Sequence, residues 1–220
     1  QGNLPEYMDD SYTLNAGLAM VFLVDEKKLG DLPRPQKWED LLNPIYENSI
    51  IAFGDEAKGI FEYPLYYSYK EFGLESMKKL AHNIKGIQHA AKAARLAGTN
   101  SKEAGAIYYM PLTFAQLCEA KDVSIVFPED GALIIPIAFL VKKDKVDELD
   151  YLINLLLNGY GQMCANINAA VFNPNIESKI PEGTRIKWLG WDYIRANDIP
   201  ALGEKLYQEF HKAWDEKQPS

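Results

Sequence analysis

Short, nearly unbroken apolar runs limit what this chain can become. Residues 17–24 (GLAMVFLV), 50–53, 105–109, 123–127 and 132–141 are each bounded by Gly, Pro, Asp or Asn. A strand with one wet face would alternate polar and apolar residues, whereas an unbroken run suits a strand covered on both faces. Covering both faces requires helices, and amphipathic stretches lie between the runs: 38–42, 61–72, 74–84, 113–120, 146–163 and 199–214. The clearest is 146–163, where Val146, Leu149, Ile153, Leu156, Tyr160 and Met163 recur at steps of three and four. In the last stretch Leu202, Leu206, Phe210 and Ala213 share a face. Strands alternating with helices predict an α/β fold with a mostly parallel sheet. The longest apolar runs fall far short of the roughly 20 residues that a membrane span needs.

The order of elements predicts two lobes. The pattern stops alternating after 141 and becomes helical, so the chain leaves one lobe and finishes on another. Pro136 interrupts the run 132–141. A central strand tolerates proline badly, so this run reads as a crossover between lobes, with the run around 14–24 as its outward partner. The predicted parts are a crossing segment at 1–24, an α/β lobe at 25–130, and a return strand with a helical tail at 131–220. A chain of 220 residues buries an ample core without disulfides. Cys118 and Cys164 lie in apolar helical patterns and read as free thiols, although their spacing does not exclude a bond.

Charge narrows the partners. The chain carries 23 basic and 31 acidic side chains, a net of −8, which makes it a poor non-specific binder of nucleic acid or anionic membrane. Residues 61–115 run against this, with 7 basic and 4 acidic side chains, or +3. No P-loop, G-x-G-x-x-G, H-E-x-x-H or G-x-S-x-G motif occurs, so the sequence predicts no cofactor and no covalent step. His82, His89 and His211 have no second ligand at helical spacing, which argues against zinc.

Several stretches together resemble the type II periplasmic solute-binding proteins of ABC transporters, in particular the branch that takes ferric iron and small anions. They are YTLNAGLAMVFLVDEKKL at 12–29, PQKWEDLLNPIYENSII at 35–51, AKGIF at 57–61 and VFPEDGALIIPIAFLV at 126–141. The resemblance implies a periplasmic-binding-protein-like fold of two lobes that close over a small ligand, with no enzymatic activity. It implies a membrane permease as partner and an extracytoplasmic location with a lipid anchor. Relatives open with a strand–helix–strand region that precedes the crossing strand, so it also implies that the first lobe is incomplete in this chain. Exposed edges and helix faces would then invite a dimer. An effector domain of a transcriptional regulator shares the fold and is the alternative reading.

Three places carry candidate ligand contacts. The loop before Lys58, Gly59 and Ile60 follows a strand and precedes a helix, where unpaired N–H groups favour an anion; an ordinary loop capped by Asp55 is the other reading. Tyr108, Tyr109 and Met110 follow the strand read at Gly105–Ile107, and ligands of open α/β sheets bind beyond the carboxyl ends of strands. By resemblance a Tyr pair near here supplies phenolates to iron, but this pair sits about two residues early. One Tyr in the core and one lining the cleft is the alternative. Glu129 and Asp130, in Pro128-Glu129-Asp130-Gly131, offer carboxylates or simply form a turn and hinge. The metal, if any, stays open.

Overall fold

The computed structural model describes residues 12–55 and 57–217; the start of the predicted crossing segment (1–11), Glu56 and 218–220 lie outside them. In chain order the elements are β1 (Thr13–Asp25), α1 (Glu26–Leu29), β2 (Ile50–Asp55), β3 (Gly59–Ile60), α2 (Tyr63–Phe72), α3 (Glu75–Asn83), β4 (Ile84–Gln88), α4 (Ala90–Leu96), β5 (Ile107–Pro111), α5 (Leu112–Ala115), β6 (Val123–Val126), β7 (Ala132–Phe139), α6 (Asp150–Asn154), α7 (Gly161–Asn166), β8 (Ala170–Val171), β9 (Ile186–Lys187), α8 (Trp191–Ala196) and α9 (Ile199–Lys217). A π turn, Leu155–Tyr160, joins α6 to α7.

β1 is the axis of the sheet, whose main path runs β3–β2–β5–β1–β7–β9, with β4 on β2 and with β6 and β8 on β1. The two runs read as crossing strands are neighbours: β1 and β7 lie side by side, antiparallel, from Thr13 opposite Phe139 to Met20 opposite Leu133. Farther along, β6 takes over the same partner, with Phe22 opposite Val126. The sheet is mixed rather than mostly parallel. Parallel pairing holds for β4–β2–β5 and for β7–β9, while β1 runs antiparallel to each of its partners. Pro136 stands opposite Gly17 on a stretch of β7 that has no second neighbour among the described residues, so its missing N–H costs no ladder bond there.

The alternation along β1 divides two cores. Met20, Phe22 and Val24 face one, with Trp38, Tyr67, Tyr109, Leu206 and Phe210. Val21 and Leu23 face the other, with Ile51, Tyr108, Met110 and the alanines of α4. Both faces are covered, which is why the run reads as unbroken hydrophobic sequence. The quoted motifs are structural joints. Asp25 accepts from the Lys28 N–H (3.1 Å) and the Gly98 N–H (3.1 Å), and so ties the start of α1 to the loop after α4. The Asp40 carboxylate accepts from the N–H groups of Gln36 and Lys37. The Trp38 ring donates to the Gly131 carbonyl at 3.0 Å, joining the second and fourth motifs.

The predicted last helix forms, with Leu206, Phe210 and Ala213 buried as its spacing requires. It packs on α2 and α3. Residues 199–217, read together with 131–198, thus pack against helices of the segment 25–130. The helix read at 146–163 is a short α6, the π turn and α7, and its inner face reaches Cys164, not Met163. The wide π turn changes the phase of the repeat, leaving Met163 exposed. Cys118 and Cys164 are both free thiols.

Candidate functional site

The parallel strands β2, β4 and β5 end on one edge of the sheet, the place where open α/β sheets bind ligands. The end of β2 turns at Asp55, whose carboxylate accepts from the N–H groups of Ala57 (2.9 Å) and Lys58 (3.0 Å). The chain then doubles back as β3, with Gly59 opposite Asp55 and Ile60 opposite Gly54. The loop is thus a hairpin, and α2 begins only at Tyr63. The free helix-start N–H groups expected beside Lys58, Gly59 and Ile60 are not there.

Each residue of that predicted trio has a separate fate. Lys58 is exposed. Ile60 is in the core. Gly59 has φ +89° and lies under α9, where an added Cβ would stand 2.5 Å from the Tyr207 hydroxyl and 2.7 Å from His211 Nε2. The Tyr207 hydroxyl donates to the Lys58 carbonyl at 2.9 Å. Glycine is needed for close approach, as the sequence suggests, but what approaches is the last helix.

The predicted Tyr pair is buried: Tyr108 is 0% and Tyr109 1% exposed, and Met110 is buried with them. Strand alternation sends Tyr108 and Met110 into the α4 core and Tyr109 into the Trp38 core. Their hydroxyls therefore point to opposite sides of the sheet and cannot hold one ion together. The Tyr108 hydroxyl accepts from the Gly105 N–H at 3.0 Å, and that of Tyr109 has no partner. Burial holds both phenols far above their ordinary value of 10.0, against phenolate formation. Neither residue lines a cleft. The cavity beside Tyr109, about 20 Å³ and lined also by Trp38, Tyr67, Ser68 and Leu80, has room for one water and not for a solute. No three His, Cys, Asp or Glu side chains gather as a metal site among the described residues.

Glu129 and Asp130 sit in a turn closed by the Gly131 N–H on the Pro128 carbonyl at 2.9 Å. Glu129 is exposed. Asp130 is engaged: Oδ2 accepts from Lys187 Nζ at 3.2 Å, and Oδ1 takes the Trp38 N–H at 3.4 Å. Lys187 also donates to the Tyr67 hydroxyl at 2.6 Å and lies 5.2 Å from its ring centre. Burial lowers the Lys187 ammonium, and the bonds to Tyr67 and Asp130 more than reverse this, so it stays charged. Sequence reasoning missed Lys187, because β9 is only two residues long.

The surface that remains at the strand ends is partly aromatic. Phe53 at the end of β2 packs on Phe61 with ring centres 5.0 Å apart. Exposed His89, after β4, caps α4 through Nδ1 and meets Phe114 of α5 edge to face at 5.7 Å. Beyond α5, Gln116 accepts from Asn168 at 2.6 Å, joining the strand-end surface to the segment before β8. Between them β1 passes from one set of neighbours to another: Met20 pairs with Pro111 of β5, and Gly17 pairs with Ala170 of β8.

The profile of bacterial extracellular solute-binding proteins matches residues 3–197. No curated protein matches the chain. Among solved structures, apo ferric ion-binding protein A of Pasteurella haemolytica is similar at a TM-score of 0.66 and 16% identity, over 97% of this chain and 74% of that one. The periplasmic binding protein AfuA of Actinobacillus pleuropneumoniae, with fructose-6-phosphate bound, gives 0.58 and 18%, over 98% and 69%. The spermidine/putrescine ABC transporter substrate-binding protein PotD of Streptococcus pneumoniae gives 0.57 and 17%, over 93% and 69%. At these identities the likeness concerns the fold.

Proposed function

We infer the function from one premise: the chain belongs to the bacterial extracellular solute-binding proteins. These are ABC-transporter components that bind a small solute outside the cytoplasm and meet a membrane permease; they are not enzymes. We propose that residues up to 24 and the strand from 131 are the two crossings of a two-lobed body. On this reading 25–130 with α9 form the second lobe, and 131–198 belong to the first. The observation that carries the reading is the antiparallel pairing of β1 with β7 beside the open ends of β2, β4 and β5.

The ligand is proposed to be a small oxyanion, held where β1 changes neighbours. Lys58, His89 and Gln116, from loops at the strand ends, are the donors proposed to reach it, with Phe53 and Phe114 as apolar walls. A ferric ion would need donors other than Tyr108 and Tyr109. Closure follows if the solute binds the closed arrangement better than the open one. We place the protein at the membrane surface through a lipid anchor. Exposed Tyr151, Leu152 and Leu155 support an apolar face by which the first lobe pairs with a second copy.

A thermal-shift series with phosphate, fructose 6-phosphate, ferric citrate and spermidine tests the ligand class, because binding to the native state raises the melting temperature. Phosphate or the sugar phosphate is expected to raise it, with the rise lost in Lys58→Ala combined with His89→Ala. A rise with spermidine alone would refute the oxyanion reading.

A further inference from the structure

β4 is hydrogen-bonded to β2 and to no other strand among the described residues. Its free edge therefore presents main-chain N–H and C=O groups to one side, a template for another extended chain. The start of the edge is closed: Lys217 of α9 donates to the carbonyls of Ala81, His82 and Ile84. What remains borders a surface groove of about 370 Å³, lined by Lys85, Gly86, Ile87, Gln88, Lys92, Glu103 and Trp214. It lies apart from Tyr108, Tyr109 and the β1–β7 crossing, and nothing in the proposed solute site uses it.

Two orphaned polar atoms belong to the side chains lining this groove. Gln88 is only 7% exposed; its amide hydrogen-bonds Glu103, yet Oε1 has no partner. The Trp214 indole N–H, also buried, has none either. A buried unpaired donor or acceptor is destabilising.

Charge selects the sign of the occupant. Residues 75–103 carry six basic side chains (Lys78, Lys79, Lys85, Lys92, Arg95, Lys102) and two acidic ones (Glu75, Glu103), so 6 − 2 = +4 in a chain of net −8. Lys92 is paired with Glu103 at 3.0 Å. Lys85, exposed at the middle of the edge, sends its ammonium to the Ala104 carbonyl, an uncharged acceptor, and so keeps its charge unneutralised. A lysine on an edge strand discourages indiscriminate strand pairing. The same lysine rewards a chain that brings a carboxylate.

We propose that the free edge of β4, with the groove under Trp214, binds an extended acidic segment of a partner protein by strand addition. The segment's main chain pairs with β4, and its carboxylates meet Lys85 at the groove.

The test uses the full chain with two blocked octapeptides, one alternating Glu and Val, the other Lys and Val. The acidic peptide is expected to slow amide hydrogen exchange across 84–88 and to change indole fluorescence; the basic peptide should do neither. Lys85→Glu, a surface change that leaves the core intact, should weaken the acidic peptide by about tenfold or more and admit the basic one. Trp214→Phe should weaken the acidic peptide several-fold. Equal binding of both peptides, no protection of 84–88, or displacement of the peptide by free glutamate at equal concentration would overturn the proposal.

Discussion

The body around β4, β2, β5 and β1 and the stretch from 140 to 198 are made of the same kinds of residues and packed in opposite ways. In the first, apolar side chains meet across two covered faces, and even Tyr108 and Tyr109 are shut away. In the second, Leu140, Val146, Tyr151, Leu152, Leu155, Met163 and Ile167 all stand exposed, Tyr151 at 81%. Monomers seldom leave so many apolar side chains open in one region. The first region is closed on both faces of its sheet, while the second leaves its apolar side chains open.

Deletion of a side chain should separate the two most sharply. Phe210→Ala removes a fully buried ring from the seam of α9 with α2 and α3, and should cost about 3–5 kcal/mol in urea unfolding. Leu155→Ser in the open region should change stability by no more than about 0.5 kcal/mol and improve solubility. An equal cost at both positions would mean that the contrast is false. Gly59→Ala comes next, at about 1–3 kcal/mol, because φ is positive and the methyl meets Tyr207 and His211. Tyr109→Phe should be neutral or slightly stabilising, since it deletes a buried hydroxyl that has no partner. It should leave ferric binding, if any is measured, unchanged; a loss of iron would restore this phenol as a ligand.

The smallest effect concerns pH. Burial lowers the His211 imidazole from its ordinary 6.5, against a weaker opposing pull from Asp215. A histidine depressed in the folded state leaves stability intact above about pH 6.5, and the unfolded chain binds the extra proton as pH falls below that. Stability should therefore decline from about pH 6.5 down to the lowered folded value, then hold level as far as this group is concerned. His211→Gln should flatten that limb of a melting-temperature profile. An unchanged limb would move the acid sensitivity elsewhere.

The long elements were legible because burial leaves a periodic mark. β1 and β7 announce themselves as apolar runs, and α9 by Leu206, Phe210 and Ala213 at helical steps. β4, with only the five residues Ile84–Gln88, carries no such mark: Lys85 and Gly86 break its apolar run, and it follows α3 without a loop. The site was less legible than the fold. The Tyr pair was read as lying beyond the end of a strand, but it lies inside β5, where the register sends its two side chains to opposite faces. The PEDG turn was read correctly as a turn, while Lys187, which fastens Asp130, comes from a two-residue strand that no pattern could find. The hairpin at Gly59 depends on a helix distant in sequence, and no local signal contains it.

That last dependence has a consequence for biosynthesis. The Tyr207 hydroxyl reaches back 149 positions to the Lys58 carbonyl, and Phe210 fills a core begun by Phe22. A ribosome delivers α9 after nearly everything it seals, so the long-range contacts that complete this body can form only late. For a polypeptide that must be exported, a fold whose clasp is translated after the parts it seals remains threadable until then.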